Sequence, residues 1–328
     1  MRNLATIQKI KSLEVIENAD AIQKAKVLGW ELVVKKGEFK EGELCVYCEI
    51  DSLLPDKPEF AFLKARGMRI RTIKLRGQIS QGICFPLSIL PEGTKIEEGA
   101  DVTELLGITK YEAPVPASLA GVAKGLFPSY IPKTDETRVQ VLQEVLDRHK
   151  GLKCYISEKL DGSSVTYFLK KGQFGVCSRN LELLEDAENT LWKIARELDI
   201  ENKLRSLGSD FALQGEIIGE SVQKNIYKLR GQTVFFFNVF DIDQYKYLDF
   251  EAFKLMIETL GLKTAPILDT QYELNNNIAE LVQLSIGKSQ LFNVEREGIV
   301  IRPLTETKVI TGRVSFKAIN PEFLLKFD

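Results

Sequence analysis

Alternating apolar and polar positions dominate the first third of the chain. Ala25-Lys-Val-Leu28, Glu31-Leu-Val-Val34, Leu44-Cys-Val-Tyr47 and Gly82-Ile-Cys-Phe85 carry the two-residue period that turns one strand face to a core, and Gly29, Gly37, Gly42, Gly77 and Gly82 punctuate them. Arg69-Ile-Arg-Thr-Ile-Lys-Leu-Arg76 reads as a further strand, with Arg69 and Arg71, then Lys74 and Arg76, sharing faces. So many short strands in residues 1–110 predict a small barrel, with the OB-fold as the natural candidate. The Pro/Gly-rich stretch 111–132 reads as a linker. Thr134, followed by Asp135 and Glu136, then has the pattern of a helix cap and first turn, opening a second domain over 133–328. Runs from Lys153, Ser163 and Phe174 predict strands, the last two joined by a hairpin at Lys170-Lys171-Gly172. Helical patterning covers 181–207, 250–260 and 278–286, so the second domain is α+β with mainly antiparallel sheet.

Composition narrows the chemistry. At 328 residues, 44% hydrophobic and 27% charged, the chain has room for two globular domains. A formal net charge of -2 gives no global basic signature, so any nucleic-acid contact must come from local patches. No apolar run reaches the ~20 residues of a membrane helix and no signal-peptide pattern opens the chain, which predicts a cytoplasmic or nuclear protein. Cys45, Cys48, Cys84, Cys154 and Cys177 lie in strand-like runs, as suits reduced, buried thiols. Cys45-x-x-Cys48 lacks the second pair of a zinc site and reads as strand core. The single histidine, His149, ends a predicted helix, which excludes a Ser-His-Asp triad and any multi-histidine metal site. Chemistry must run on lysine, carboxylates and metal.

The segment that carries such chemistry is Ser157-Glu158-Lys159-Leu160-Asp161-Gly162, with Lys159 on a tight turn between strands. A lysine amine has a reference pKa of ~10.4 and needs surroundings that favour its neutral form to act as a nucleophile. Asp161, Glu216 and Glu297 each sit beside a glycine in a strand-end context, the oxygen donors that magnesium or its water shell requires. Lys64, Arg66, Arg69, Arg71, Lys74 and Arg76 form a basic cluster, either a solvated edge or a track for a phosphate backbone.

Read in order, Lys159-Leu-Asp-Gly162, Ser178-Arg-Asn180, Leu213-Gln-Gly-Glu216, Phe235-Phe-Phe-Asn-Val-Phe-Asp241, Glu297-Gly-Ile-Val-Ile-Arg302 and Val314-Ser-Phe-Lys317 resemble the motif series of the ATP-dependent ligase and RNA-capping superfamily. The resemblance implies a nucleotidyltransferase (ATP-grasp-like ligase) domain behind the OB-fold barrel. It makes Lys159 the residue that takes AMP from ATP, and puts Arg179 and Lys317 at the α-phosphate. Those two cations and the metal would disfavour a charged Lys159. Asp161 and Glu297 would engage Mg²⁺ or Mn²⁺, and Glu216 the ribose and the metal's waters. Phe237 would stack on the base, and the backbone carbonyl of Glu158 would read the adenine amino group.

DNA ligases and capping enzymes usually carry arginine where this chain has Ser164, and place an OB domain after the last motif, whereas this chain runs only a short way past Lys317. With its barrel in front, the layout resembles the Deinococcus and Naegleria type of RNA ligase over essentially the whole chain. One departure is Ser315, where many relatives have lysine. The expectation is a monomeric ATP-dependent RNA ligase joining a 3′-OH to a 5′-phosphate at nicked duplexes whose 3′-OH end is RNA and whose other strand end is RNA or DNA, with Arg69, Arg71, Lys74 and Arg76 gripping the duplex. The alternatives are a DNA ligase, a capping-type guanylyltransferase, or an RNA-binding adaptor without activity.

Overall fold

Strand β1 (Ala5–Val15) explains how the first barrel curls. Its first half pairs with β4 (Leu44–Cys48) and its second with β2 (Ile22–Val27), and the register slips between Ile10 and Ser12, where the strand changes partner. Bulges bend a strand and add twist, which curls the sheet. With β3 (Trp30–Lys35) and β5 (Ile83–Phe85) the order is β3-β2-β1-β4-β5, all antiparallel. The outer edges meet where Gln81 N donates to Glu31 O at 2.8 Å and Val33 N to Ser80 Oγ at 3.0 Å. Ile7, Ile10, Ala25, Val27, Leu32 and Trp30, all fully buried, fill the interior. This is the curled sheet of an OB-fold.

The computed structural model describes residues 3–112, 114–309 and 312–327. Contacts divide the chain into Met1–Ala113 with Pro321–Asp328, and Pro114–Asn320. The stretch read as a linker therefore belongs mostly to the second unit, because Ala123–Leu126 pairs with Leu181–Leu183 as an edge strand.

The expected strand over 69–76 does not form as one piece. Arg69 bridges to Leu53, and Ile73–Leu75 then pairs with Gln78–Ser80 as a hairpin. Arg69 is buried, its guanidinium 3.0 Å from Asp51 and 3.8 Å from the centre of the Tyr111 ring. A carboxylate and an aromatic face are what allow a guanidinium to leave water. Arg71, Lys74 and Arg76 are exposed.

The second unit holds two large sheets, besides a two-stranded ribbon of Lys308–Val309 with Gly312–Arg313. In chain order the strands of the large sheets are β6 (Ala123–Leu126), β7 (Thr137–Arg138), β8 (Lys153–Lys159), β9 (Ser163–Lys170), β10 (Gln173–Cys177), β11 (Leu181–Leu183), β12 (Phe211–Gly219), β13 (Gln232–Asp241), β14 (Lys246–Tyr247), β15 (Ile267–Glu273), β16 (Gly298–Pro303) and β17 (Phe316–Ile319). The seven-stranded sheet runs β6-β11-β10-β9-β12-β13-β14 and the five-stranded one β7-β17-β16-β8-β15. All neighbours are antiparallel except β7 and β17. Helices Thr190–Glu197, Ile200–Ser206 and Phe250–Thr259 supply Trp192, Leu204 and Phe253 to the core on one face of the larger sheet. Helix Ile278–Ser285 packs Leu281 against Ile299, Ile301 and Phe316 of the smaller.

Two helix expectations change. Within 181–207 the first three residues are strand β11, and helix starts only at Asn189, whose Oδ1 accepts from Leu191 N at 3.0 Å and Trp192 N at 3.3 Å. Thr134 caps nothing. Its hydroxyl meets Ser164 Oγ at 2.9 Å, while Asp135 and Glu136 both pair with arginines. All five cysteines are free and buried.

Candidate active site

Lys159 ends β8 and Ser163 begins β9, so the short turn between them carries the chain from the smaller sheet to the larger. Backbones crowd here. A Cβ on Gly162 would stand 2.3 Å from Ile217 O, and one on Gly298 2.3 Å from Ala318 O. Those approaches set Lys159 opposite Gly298 and Ser164 opposite Glu216, and so bring the three glycine-flanked carboxylates around one amine.

Lys159 Nζ lies 2.7 Å from Glu297 Oε2, with both side chains mostly buried. Burial works against the ammonium, but the charges of Glu297, Glu216 and Asp161 outweigh it and hold the amine above its usual range. The acids, rather than Arg179 or Lys317, set the balance at Lys159 here. Arg179 is exposed and its Nη2 is held by Asp135 Oδ1 at 2.5 Å. Lys317 lies on β17 opposite Val300, two residues along from Gly298, and so on the face that bears Lys159.

The carboxylates register their own crowding. Burial, and then Glu297, push Asp161 up to about 7 against the pull of Lys159 and Lys224. Burial pushes Glu216 up to about 8, with Lys159 and Arg179 opposing and Glu297 and Asp161 adding to it. Three acids around one ammonium make a site short of positive charge. Among the described residues no three side chains stand ready as direct metal ligands. The donor set, three carboxyls about one ammonium, fits a divalent ion.

Phe237 owes its position to an irregularity. Gln214 pairs with Asn238 but Gly215 with Phe236, which leaves Phe237 as the extra residue of a bulge. Phe236 is fully buried and Phe235 nearly so; Phe237 is half-buried against the cluster of Leu160 and Ile218, with the Arg302 guanidinium 5.6 Å from its ring centre. Bulges re-aim side chains beside sites, and here the re-aimed ring is the one of the three that is only half-buried. Glu158 is buried, its Oε2 accepts from Gln290 N at 2.8 Å, and burial raises its carboxyl. Its side chain thus anchors the loop before Glu297.

Sequence reasoning missed a buried network. Glu136 Oε1 accepts from Arg302 Nη2 at 2.8 Å and from Ser315 Oγ at 2.7 Å, and Arg302 Nε donates to Ser315 Oγ at 3.0 Å. Burial alone would raise Glu136, but Arg302, Arg313 and Ser315 pull it below its ordinary value. Ser315 thus completes a buried ion pair. The signal was Arg302 at the end of an apolar strand, since a buried arginine demands a carboxylate. Glu136 belongs to a strap in which Pro132 O, Lys133, Thr134 and Asp135 also bond across the site, to Gln214, Asn180, Ser164 and Arg179 respectively.

An OB-fold barrel, and a two-sheet domain whose turn lysine is ringed by acids beside an aromatic bulge, define a ligase-type nucleotidyltransferase. The sequence signature of the RNA ligase family matches residues 152–319, and that of an OB-fold domain residues 4–87. The chain belongs to the RNA ligase family. Solved structures of variants of the Naegleria gruberi RNA ligase are similar over nearly the full length. One, with ATP and manganese, is 41% identical, with 98% of each chain covered and a TM-score of 0.92. Another, with AMP and manganese, is 41% identical, with 99% of each chain covered and a TM-score of 0.93. The same enzyme with pyrophosphate gives 41%, 99% of each chain and 0.92. No curated protein sequence matches the chain. Among the described residues no helix is long and apolar enough to cross a membrane.

Proposed function

We propose that this RNA ligase uses ATP to seal 3′-OH/5′-phosphate breaks through a covalent Lys159–AMP intermediate, and that its substrate is a nicked duplex with an RNA 3′-OH end. The observation that carries the reading is Lys159 Nζ set 2.7 Å from Glu297, under the charges of Asp161 and Glu216. The ATP- and AMP-bound states of the Naegleria enzyme support the choice of nucleotide.

In the first step Lys159 Nζ attacks the α-phosphorus of ATP, the nitrogen–phosphorus bond forms and pyrophosphate leaves. Glu297 Oε2 is placed to accept the lysine proton. In the second, a 5′-phosphate oxygen of the RNA attacks the adenylate phosphorus and returns Lys159 to its free state. In the third, the 3′-OH attacks the activated 5′-phosphate and AMP leaves. Each step is mainly positioning and charge neutralisation. Phe237 stacks on the adenine, whose amino group the backbone carbonyl of Glu158 reads. Lys317 neutralises the α-phosphate, joined by Arg179 once it leaves Asp135. A bound magnesium or manganese ion would neutralise phosphate charge, with Asp161, Glu216 and Glu297 holding it through its water shell. On the barrel, Arg71, Lys74 and Arg76 contact the duplex backbone; Arg69 serves the fold instead.

Four matched nicks, with RNA or DNA on either side of the break, test the substrate. Sealing is expected wherever the 3′-OH strand is RNA, whichever sugar carries the 5′-phosphate. Equal sealing of all-DNA nicks, or activity confined to single-stranded ends, would overturn the nicked-RNA assignment.

A further inference from the structure

The loop between β12 and β13, residues 220–231, is built against backbone preference. Ser221, Gln223, Asn225 and Lys228 stand at φ of 60°, 47°, 41° and 54°, a left-handed region that asparagine tolerates but that is costly for the other three. Such strain persists only where surroundings over-determine it, and it gathers at working sites. Here the surroundings are explicit. Asn225 bonds Leu229 in both directions, accepting from its N at 3.2 Å and donating to its O at 3.0 Å. Glu220 N donates to Gly231 O at 2.8 Å, closing the loop. The Tyr227 ring is buried, 4.7 Å from that of Phe292.

What the strain achieves is a grip on the turn after Lys159. Tyr227 Oη accepts from Asp161 N at 2.8 Å, Gln223 Nε2 donates to Gly162 O at 3.2 Å, and Leu160 packs in the same cluster as Tyr227. All three turn residues are thus held by one loop. The turn is also pressed against β12, since Gly162 has no room for even a methyl group against Ile217 O.

We propose that Tyr227 and Gln223 are positioning residues for the nucleophile, fixing the turn so that Lys159 can swing from Glu297 to phosphorus without its backbone following. The inference rests on the reading of Lys159 as the AMP acceptor. Neither side chain needs to touch substrate. Attack demands a geometry in which a displacement of about 1 Å costs on the order of 100-fold in rate, so a held turn is worth a strained loop.

The test compares Tyr227→Phe and Gln223→Ala with wild type in two isolated steps: AMP transfer from ATP to the protein, and sealing of a nick whose 5′-phosphate is already adenylylated, where Lys159 forms no bond. Tyr227→Phe is expected to lower kcat for self-adenylylation by about 10-fold with KM for ATP within about 2-fold, and to slow the sealing step distinctly less. Gln223→Ala should show the same split with a smaller loss. Wild-type adenylylation rates in both variants would overturn the proposal. So would equal losses in both steps that follow a fall in unfolding temperature, since that marks a structural role alone. If Tyr227→Phe does not fold, the split in Gln223→Ala decides. Failure of wild type to take AMP at Lys159 would sink the underlying reading instead, whatever the variants do.

Discussion

Lys159 rests as an ammonium, and that sets how the reaction should respond to pH. Its carboxylate neighbours raise its pKa, so the neutral amine is scarce near pH 7 and grows more abundant as pH rises. Single-turnover AMP transfer should therefore climb from pH 7 to pH 9; a rate flat over that range would contradict the assignment of a charged resting lysine. Asp161 and Glu216 make a second prediction, this one for stability. Their folded pKa values, about 7 and about 8, lie above the ordinary 3.8 and 4.5. A carboxyl raised by folding lends its support fully below its unfolded pKa and withdraws it as pH rises through the folded one. The protein stripped of divalent ions should lose unfolding temperature between pH 5 and pH 8 and level off above. Lys159, whose pKa is also raised by folding, acts in the same sense but only at higher pH. Manganese or magnesium, which favours the ionised acids, should flatten the decline, as should Glu216→Gln. An identical slope with and without the ion would separate these carboxylates from metal binding. It was the motif order that singled out this trio in the sequence, and each acid proves to sit beside a glycine that a close backbone approach requires. Arg179 shows the limit: nothing local to Ser178-Arg-Asn180 announces that Asp135 holds it.

Element by element, the sequence was most legible where a strand pairs with its neighbour in the chain, as at the hairpin joining β9 and β10. It was least legible where a distant segment decides. Leu181-Glu-Leu183 fits a helical period as well as a strand, and becomes strand because Ala123–Leu126 lies beside it. Thr134, Asp135 and Glu136 have the composition of a helix start, yet each is claimed by a residue far along the chain. Glu136→Ala would leave Arg302 buried without its carboxylate, a change worth about 3–5 kcal/mol of stability; Glu136→Gln, which keeps an acceptor for Ser315, should cost less, and chemical denaturation measures both. The 69–80 segment gives a parallel contrast. Arg69→Ala should lower the unfolding temperature, because Asp51 and Tyr111 lose their partner, while leaving the salt dependence of RNA binding unchanged. Joint replacement of Arg71, Lys74 and Arg76 by alanine should do the reverse, weakening binding across sequences and reducing the log–log salt slope by about 0.7–0.9 for each phosphate that is no longer neutralised. A binding loss in Arg69→Ala that matches the triple variant would return Arg69 to the nucleic-acid surface.

On the scale of the molecule, a chain of net charge -2 carries no overall attraction for RNA, so recognition rests on local cations and on the covalent step itself. The order of weak motifs was enough to reach the family from sequence, since chance rarely sets six of them in one sequence order. The return of Pro321–Asp328 to the first unit was not legible, because an association between the two ends of a chain leaves no local pattern. Everything in the account converges on one bond. Intact-mass analysis of the protein after incubation with ATP and manganese, followed by denaturation and peptide mapping, tests it most directly. The account predicts a single AMP adduct on Lys159 that is released by pyrophosphate and is absent from Lys159→Met. AMP on another residue, or catalytic sealing by a protein that never carries AMP at Lys159, would contradict it.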